Sequence, residues 1–324
     1  MDQLNKNHWY ILGAGPVGCL WACALREAGC QVSMLVKTLK DSDLYLNQQT
    51  IEYTQLFSNM EKKTVTVELL DHYQLSREAR SVSHLIIATK AYDALSALGN
   101  VLPQLCTSAT VITLSNGLGM HHALQAALQC EKNDRQLVQA VVSDGARLRQ
   151  PFKLTHTGEG HNYIGRLQLG SRDRAQQINE STPFGLPPLF LNTTVVHDIE
   201  EKIWHKALVN CVINPLTAFY QCSNGELFND PVKMIRIKAL CEELANIINR
   251  SNAPITIQAE EIFSETKEIA VLTEKNTSSM LHDVRKGRQL EIEHLNIYFI
   301  RLAQQYNVPC PHNLELVNAL TPHS

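Results

Sequence analysis

The sequence predicts an α/β protein, with a mostly parallel sheet in its N-terminal part and an all-helical C-terminal part. Three observations predict it. Short, continuously apolar runs alternate with helical patterns through the first half, as strands covered on both faces require. A glycine-rich segment, Gly13-Ala14-Gly15-Pro16-Val17-Gly18, lies between the first strand-like run and the first helix-like run. From Ile199 onward strand signals fade and helical spacing takes over.

Residues 9–12 read as a buried strand and 19–28 as a helix closed by Gly29, since glycine tolerates the left-handed position that ends helices. Residues 32–36 form the second strand, and 64–70 alternate as a third should. A strand at 84–88 precedes a helix at 91–98. A strand at 110–114 precedes a helix at 122–128, and 137–142 is a further strand. Residues 152–166, rich in Gly, Thr and His, are expected to add an antiparallel hairpin. Residues 171–188 read as a surface helix and loop, and 189–196 as the last strand. The pattern change near His197 sets the expected domains at 1–197 and 198–324, in keeping with roughly 100–200 residues per domain.

Composition limits the function classes. Of 324 residues 44% are hydrophobic, and the net charge is -3, so no global basic field exists to hold nucleic acid or a membrane surface. No apolar run approaches the roughly 18 residues of a membrane helix. Residues 1–7 are polar, unlike a signal peptide, and a cytoplasmic location is expected. Nine scattered cysteines without a Cys-x-x-Cys pair suggest reduced thiols rather than disulfides or zinc. His121-His122 reads as a solvated helix start, and no metal site is expected.

The glycine segment carries the first functional expectation. Gly13 permits a tight turn, Gly15 lets a pyrophosphate approach the backbone, and Gly18 lets helix and strand pack closely. The phosphates then meet the free N–H groups and positive dipole of a helix start. Pro16 is tolerated in a first helical turn. The strand, loop, helix and strand order makes this a Rossmann-like dinucleotide site. Lys37 stands 19 residues past Gly18, where an acidic residue would select NAD. A cation there suits a 2′-phosphate, so NADPH is the expected cofactor. Thr89-Lys90 and residues 115–119 stand at later strand ends, where ligands of open parallel sheets lie.

In the helical half, Lys206, Asn210 and Asn214 recur every four residues and share one helix stripe. The positions between 207 and 213 are otherwise apolar or Cys, so the stripe is expected to be buried or to face a cleft. Asn224 sits in a turn before a helix. Asn276 or a neighbouring Ser is placed to cap another. By itself Glu291 reads as surface charge.

Taken together these segments resemble the ketopantoate reductase (2-dehydropantoate 2-reductase) family. The resemblance rests on the Gly13 loop, Thr89-Lys90-Ala91, Asn116-Gly117-x-Gly119 and Trp204-x-Lys206. It also rests on the run from Asn210 to Ala218, Asn224-Gly225-Glu226-Leu227, Asn276-x-Ser278-Ser279-Met280 and Glu291. It implies NADPH-dependent reduction of 2-dehydropantoate to (R)-pantoate in pantothenate (vitamin B5) biosynthesis. It implies Lys206 and Glu291 as catalytic residues. It implies Asn116, Lys206, Asn210, Asn214, Asn224, Asn276 and Ser279 at the substrate. Lys37, Lys90, Asn116 and Glu291 would join Gly13, Ala14, Gly15, Pro16, Val17 and Gly18 at the cofactor. The partner implied is a small keto acid, with monomer and homodimer both open.

The residue types suit hydride addition, which places negative charge on a ketone oxygen. A donor aimed there stabilises it, and an ammonium can also deliver the proton. Glu291 either meets the substrate or orients Lys206. Leu290, Ile297 and Asp144 depart from the family's usual Thr, Gly and less polar residue. Three alternatives stay open: a reductase of another branched 2-keto acid, such as acetolactate or ketoisovalerate; a non-catalytic NADP(H) sensor; and a member of a different dehydrogenase superfamily, such as the 3-hydroxy acid or opine dehydrogenases.

Overall fold

The apolar runs expected at 9–12, 32–36, 84–88, 110–114 and 137–142 all become strands of one sheet. They are β1 (His8–Leu12), β2 (Gln31–Val36), β5 (Val82–Ile87), β6 (Leu105–Thr113) and β7 (Gln136–Val141). The computed structural model describes residues 7–37, 48–56, 61–129, 134–167, 183–188 and 190–321. The other strands are β3 (Gln48–Gln55), β4 (Lys62–Asp71), β8 (Gly145–Gln150), β9 (Lys153–Gly158), β10 (Asn162–Arg166) and β11 (Thr193–Val195). Their order is β11-β10-β7-β6-β5-β1-β2-β4-β3-β9-β8. β1 pairs in parallel with β2 and with β5, and Leu12 lies level with Leu35 and Ile87. The chain order thus reverses at β1, where open α/β sheets bind ligands.

α1 (Pro16–Glu27) packs on this sheet with Cys19, Leu20, Trp21, Ala22, Cys23 and Leu25 buried. Each fully buried aliphatic side chain of this kind contributes about 1.5–3 kcal/mol. The helix stops at Gly29, whose φ is +82°, and the Cys30 N–H returns to the Leu25 carbonyl at 2.9 Å. That is the 6→1 bond of a glycine-terminated helix. α2 (His72–Arg77), α3 (Ala91–Val101) and α4 (Met120–Leu128) complete the first part.

Several expectations need correction. Residues 152–166 do not form a hairpin. β9 pairs with β8 and β3, whereas β10 pairs with β7 and β11. Asp144 organises this parting: its carboxylate accepts from His156 Nε2 at 2.8 Å, the Gly160 N–H at 3.3 Å, and Asn162 Nδ2. A side chain at 160 would run into the Ser143 carbonyl. The last strand is three residues long, because residues 190–192 form a 3-10 turn with Leu191 and Asn192 at positive φ. His121 is buried rather than solvated, while His122 is exposed. β3 and α2 had no counterpart in the sequence reading. Most of the surface helix and loop expected at 171–188 lies outside the described residues.

The chain divides into two compact units, one of Met1–Ser115 and His121–Ile199, the other of Asn116–Met120 and Glu200–Ser324. The second unit is helical: α5 (Ile199–Tyr220), α6 (Pro231–Asn249), α7 (Ala259–Leu272), α8 (Ser279–Arg285), α9 (Asn296–Gln305) and α10 (Pro311–Leu320). Asp230 caps α6 by accepting the Val232 N–H at 2.8 Å, with Pro231 in the first turn as the missing N–H allows. Among the described residues no helix is long and apolar enough to cross a membrane, and the described cysteines are all free.

Candidate active site

In the first unit the glycine loop leaves the carboxyl end of β1. Gly13 has φ +101°, and a Cβ there would press on the Ala88 carbonyl at 3.1 Å. Its N–H is held by the Leu35 carbonyl at 3.0 Å. A Cβ on Gly18 would collide with the Gly13 carbonyl oxygen, whereas one on Gly15 would meet nothing nearer than the Ala88 oxygen at 4.0 Å. Close packing thus constrains Gly18, the role expected of it, and also Gly13, for which a tight turn alone was expected, while Gly15 leaves room above the backbone. The N-terminus of α1 has no side-chain cap and no acidic residue in its first turn, so its donors and dipole favour an incoming anion. Beside the loop, the buried Oγ1 of Thr89 has no hydrogen-bond partner among the described residues. Each of these features fits a bound dinucleotide.

Lys37 directly follows β2 with its side chain 82% exposed, and its ammonium pairs with Asp93 Oδ1 at 3.0 Å. Asp93 lies in the first turn of α3, whose N-cap residue is Lys90. Lys90 is half-buried.

In the second unit α5 carries Lys206, Asn210 and Asn214. Asn214 is buried, and Lys206 and Asn210 are half-buried. Protein atoms crowd the Lys206 ammonium although the residue as a whole keeps some solvent contact. This desolvation pushes its pKa down to about 8, against the opposing pull of the Glu291 carboxylate. Glu291 itself is buried, contrary to the surface charge its local sequence suggests. It opens the 3-10 turn Glu291–His294.

That turn also meets the segment that begins at Asn116. The Leu118 N–H donates to the His294 carbonyl at 2.8 Å. Gly117 and Gly119 have φ of +89° and +86°, and a Cβ on Gly117 would strike His294. The Asn116–Met120 segment is thereby fixed against the residues that carry Glu291.

Asn224 is buried. Its Nδ2 donates to Thr273 Oγ1 at 2.9 Å, and its Oδ1 has no donor among the described residues. Its N–H bonds the Asn276 carbonyl at 3.0 Å. Asn276 and Ser279 are exposed. The cap of α8 is Ser278, whose Oγ accepts the Leu281 N–H at 3.0 Å and a bond from Thr217 Oγ1 at 2.7 Å.

Pro215 lies inside α5, and lacking an N–H it cannot serve the carbonyl four residues back. That carbonyl, of Cys211, accepts instead from Asn296 Nδ2 at 2.9 Å. The same amide donates to Asn313 Oδ1 at 2.9 Å, and Asn313 Nδ2 donates to Glu243 Oε2 at 2.8 Å. The sequence reading missed this chain; its one visible signal is a proline within a helical pattern.

The ketopantoate reductase PanE/ApbA family model matches residues 9–168, and the model of that family's C-terminal part matches residues 198–324. The chain belongs to the ketopantoate reductase PanE/ApbA family. It is accordingly an oxidoreductase. The 2-dehydropantoate 2-reductase of Vibrio cholerae is 28% identical over 313 residues, covering 94% of each chain. That of Shigella flexneri is 29% identical over 311 residues, 94% of this chain and 91% of the other. Among solved structures, the Ralstonia eutropha PanE/ApbA family ketopantoate reductase superposes with a TM-score of 0.78 at 22% identity, covering 97% of each chain. A D-mandelate dehydrogenase with NADH and anilino(oxo)acetate superposes with a TM-score of 0.81 at 19% identity, again over 97% of each. These two likenesses show the shared fold.

Proposed function

We propose that this family member reduces 2-dehydropantoate to (R)-pantoate with NADPH, in the cytoplasm and on the route to pantothenate. The observation that carries the reading is Lys206, an ammonium with its pKa brought to about 8 beside a buried Glu291. A pKa near the working pH leaves the group protonated yet ready to give its proton up. The names of the curated relatives supply the substrate, and a cationic Lys37 favours a 2′-phosphate.

Bound NADPH supplies the hydride, two electrons and a proton's worth of hydrogen, to the keto carbon. The chain's own residues do the rest. Lys206 donates a hydrogen bond to the carbonyl oxygen and then its proton, leaving a neutral amine that regains a proton from solvent. Glu291 keeps that ammonium in place and charged. Asn210, Asn214 and Asn224 hold the substrate carboxylate and hydroxyl through amides, which add no competing charge. Asn116, at the start of the segment whose Leu118 N–H is held by His294, serves both substrate and cofactor, and Asn276 and Ser279 complete the substrate contacts. These residues belong to one chain, so monomer and homodimer are equally compatible with the reading.

A second reading is reduction of another branched 2-keto acid. It is favoured by Leu290 and Ile297, which stand where ketopantoate reductases often carry Thr and Gly. NADPH oxidation with 2-dehydropantoate, ketoisovalerate and acetolactate separates the two. The expected result is the highest kcat/KM on 2-dehydropantoate; turnover confined to another acid transfers the assignment, and turnover on none rejects both.

A further inference from the structure

We propose that Asn296 is a positioning residue for the substrate-facing stripe of α5, acting through the backbone carbonyl that Pro215 leaves open. The inference rests on the reading that Lys206, Asn210 and Asn214 meet the keto acid.

Three observations converge on it. The open carbonyl belongs to Cys211, between Asn210 and Asn214, and Asn296 Nδ2 reaches it at 2.9 Å. Asn296 is fully buried, so no solvent replaces it, and an unserved buried carbonyl is costly. Its orientation is also dictated from a distance. The Glu243 carboxylate accepts the His312 N–H at 2.7 Å, the Asn313 N–H at 2.9 Å, and Asn313 Nδ2 at 2.8 Å. A carboxylate only accepts, so Asn313 must turn its Oδ1 to Asn296, and Asn296 must turn its donors to Asn313 and Cys211. The amide cannot flip without breaking the chain.

The connection has a second end. Asn296 begins α9, directly after the turn that carries Glu291. One side chain therefore ties the backbone that presents Glu291 to the helix that presents Lys206. Without the tie, the helix is free to bend differently at its proline gap, and the Asn210 and Asn214 amides change their relative direction.

The test is a double-mutant cycle with Asn296→Ala and Pro215→Ala. The Pro215→Ala change restores the backbone N–H, so the Cys211 carbonyl gains its ordinary partner and the Asn296 bond becomes redundant. With Pro215 present, N296A is expected to raise KM for the keto acid and lower kcat/KM by about tenfold. Its basic pH limb should move to lower pH as Lys206 loses Glu291, while NADPH affinity, read by fluorescence titration, stays within about twofold. In the Pro215→Ala background, the same substitution should cost much less in both melting temperature and kcat/KM. An equal penalty in the two backgrounds overturns the proposal. So does a melting-temperature coupling without any change in KM or pH profile, which marks a purely structural bond. If N296A alone fails to fold, folding of the double variant supports the proposal and its failure overturns it. Should the wild-type protein leave 2-dehydropantoate unreduced, the function falls, and the melting-temperature cycle still decides whether Asn296 serves this carbonyl.

Discussion

Lys206 and Glu291 lie 85 positions apart in sequence, yet the carboxylate acts on the lysine's proton chemistry. Burial lowers the lysine pKa to about 8, and Glu291 works against that fall. With Lys206 as the acid, ketone reduction requires its protonated form and should decline as the pH rises through about 8. Glu291→Gln removes the supporting charge, so the basic limb of kcat is expected at lower pH than in wild type; a limb that stays or rises contradicts the pairing. Lys206→Ala should lower turnover by at least about 100-fold with NADPH affinity little changed. At the other ligand, Asp93 holds Lys37 at 3.0 Å and offsets the charge a 2′-phosphate would meet. Exposed pairs of this kind contribute about 0.2–1 kcal/mol. Asp93→Asn should therefore raise the NADPH-to-NADH affinity ratio by up to about fivefold, and Lys37→Gln should lower it. Fluorescence titration with both cofactors checks this, and a ratio indifferent to both changes removes Lys37 from cofactor selection. Much of this residue layer was legible. The glycine loop and the Lys206, Asn210 and Asn214 stripe announce themselves by spacing. Glu291 did not, because its burial comes from a turn built against distant residues. Asn296, Asn313 and Glu243 did not either, because their partners lie far away in sequence.

Between elements, His205 bridges α5 to α7. Its Nδ1 meets Glu265 Oε1 at 2.8 Å, and Glu201 stands 4.0 Å from Nε2. The hydrogen bond to Glu265 raises its pKa above the ordinary 6.5, helped by the charges of Glu265 and Glu201 and opposed by burial and Lys202. The bridge thus contributes stability that is fully present below about 6.5 and lost as the pH climbs through the raised value. Wild type should melt higher than His205→Gln at about pH 5.5, with the gap closing toward about pH 8. A gap that is constant with pH assigns the effect to packing instead. Elements differed in how openly the sequence showed them. β1, β2 and α1 are written mostly in apolar residues. β3 has Gln, Thr and Glu at most positions, and Ile51 and Tyr53 are its two buried side chains. Its place is set by pairing with β4 and β9, which no local pattern reveals.

For the first unit as a whole, Asp144 matters more than its position after a strand suggests. Tyr53 OH contacts His156 Nδ1 at 3.1 Å, and His156 Nε2 contacts Asp144 at 2.8 Å, so strands β3 and β9 connect through the carboxylate to the Asn162 end of β10. The hairpin expectation failed here because 152–166 carries suitable turn residues but finds its partners elsewhere in the sheet. Asp144→Ala leaves buried polar groups without an acceptor and should cost at least about 3 kcal/mol. Hydrogen exchange should then accelerate first across β9 and β10. Unchanged exchange there assigns the parting of the strands to other contacts.

The five residues Asn116–Met120 have a consequence for anyone who would cut this chain apart. The chain enters the helical unit at 116, leaves it after 120 and returns at 200. A gene divided at residue 199 therefore yields a C-terminal fragment short of its own Asn116, and an N-terminal fragment ending its sixth strand in a loop built for someone else. Split reporters, domain exchange and permuted variants of this protein must move that loop together with the helices, or accept a helical half with the surface around His294 laid bare.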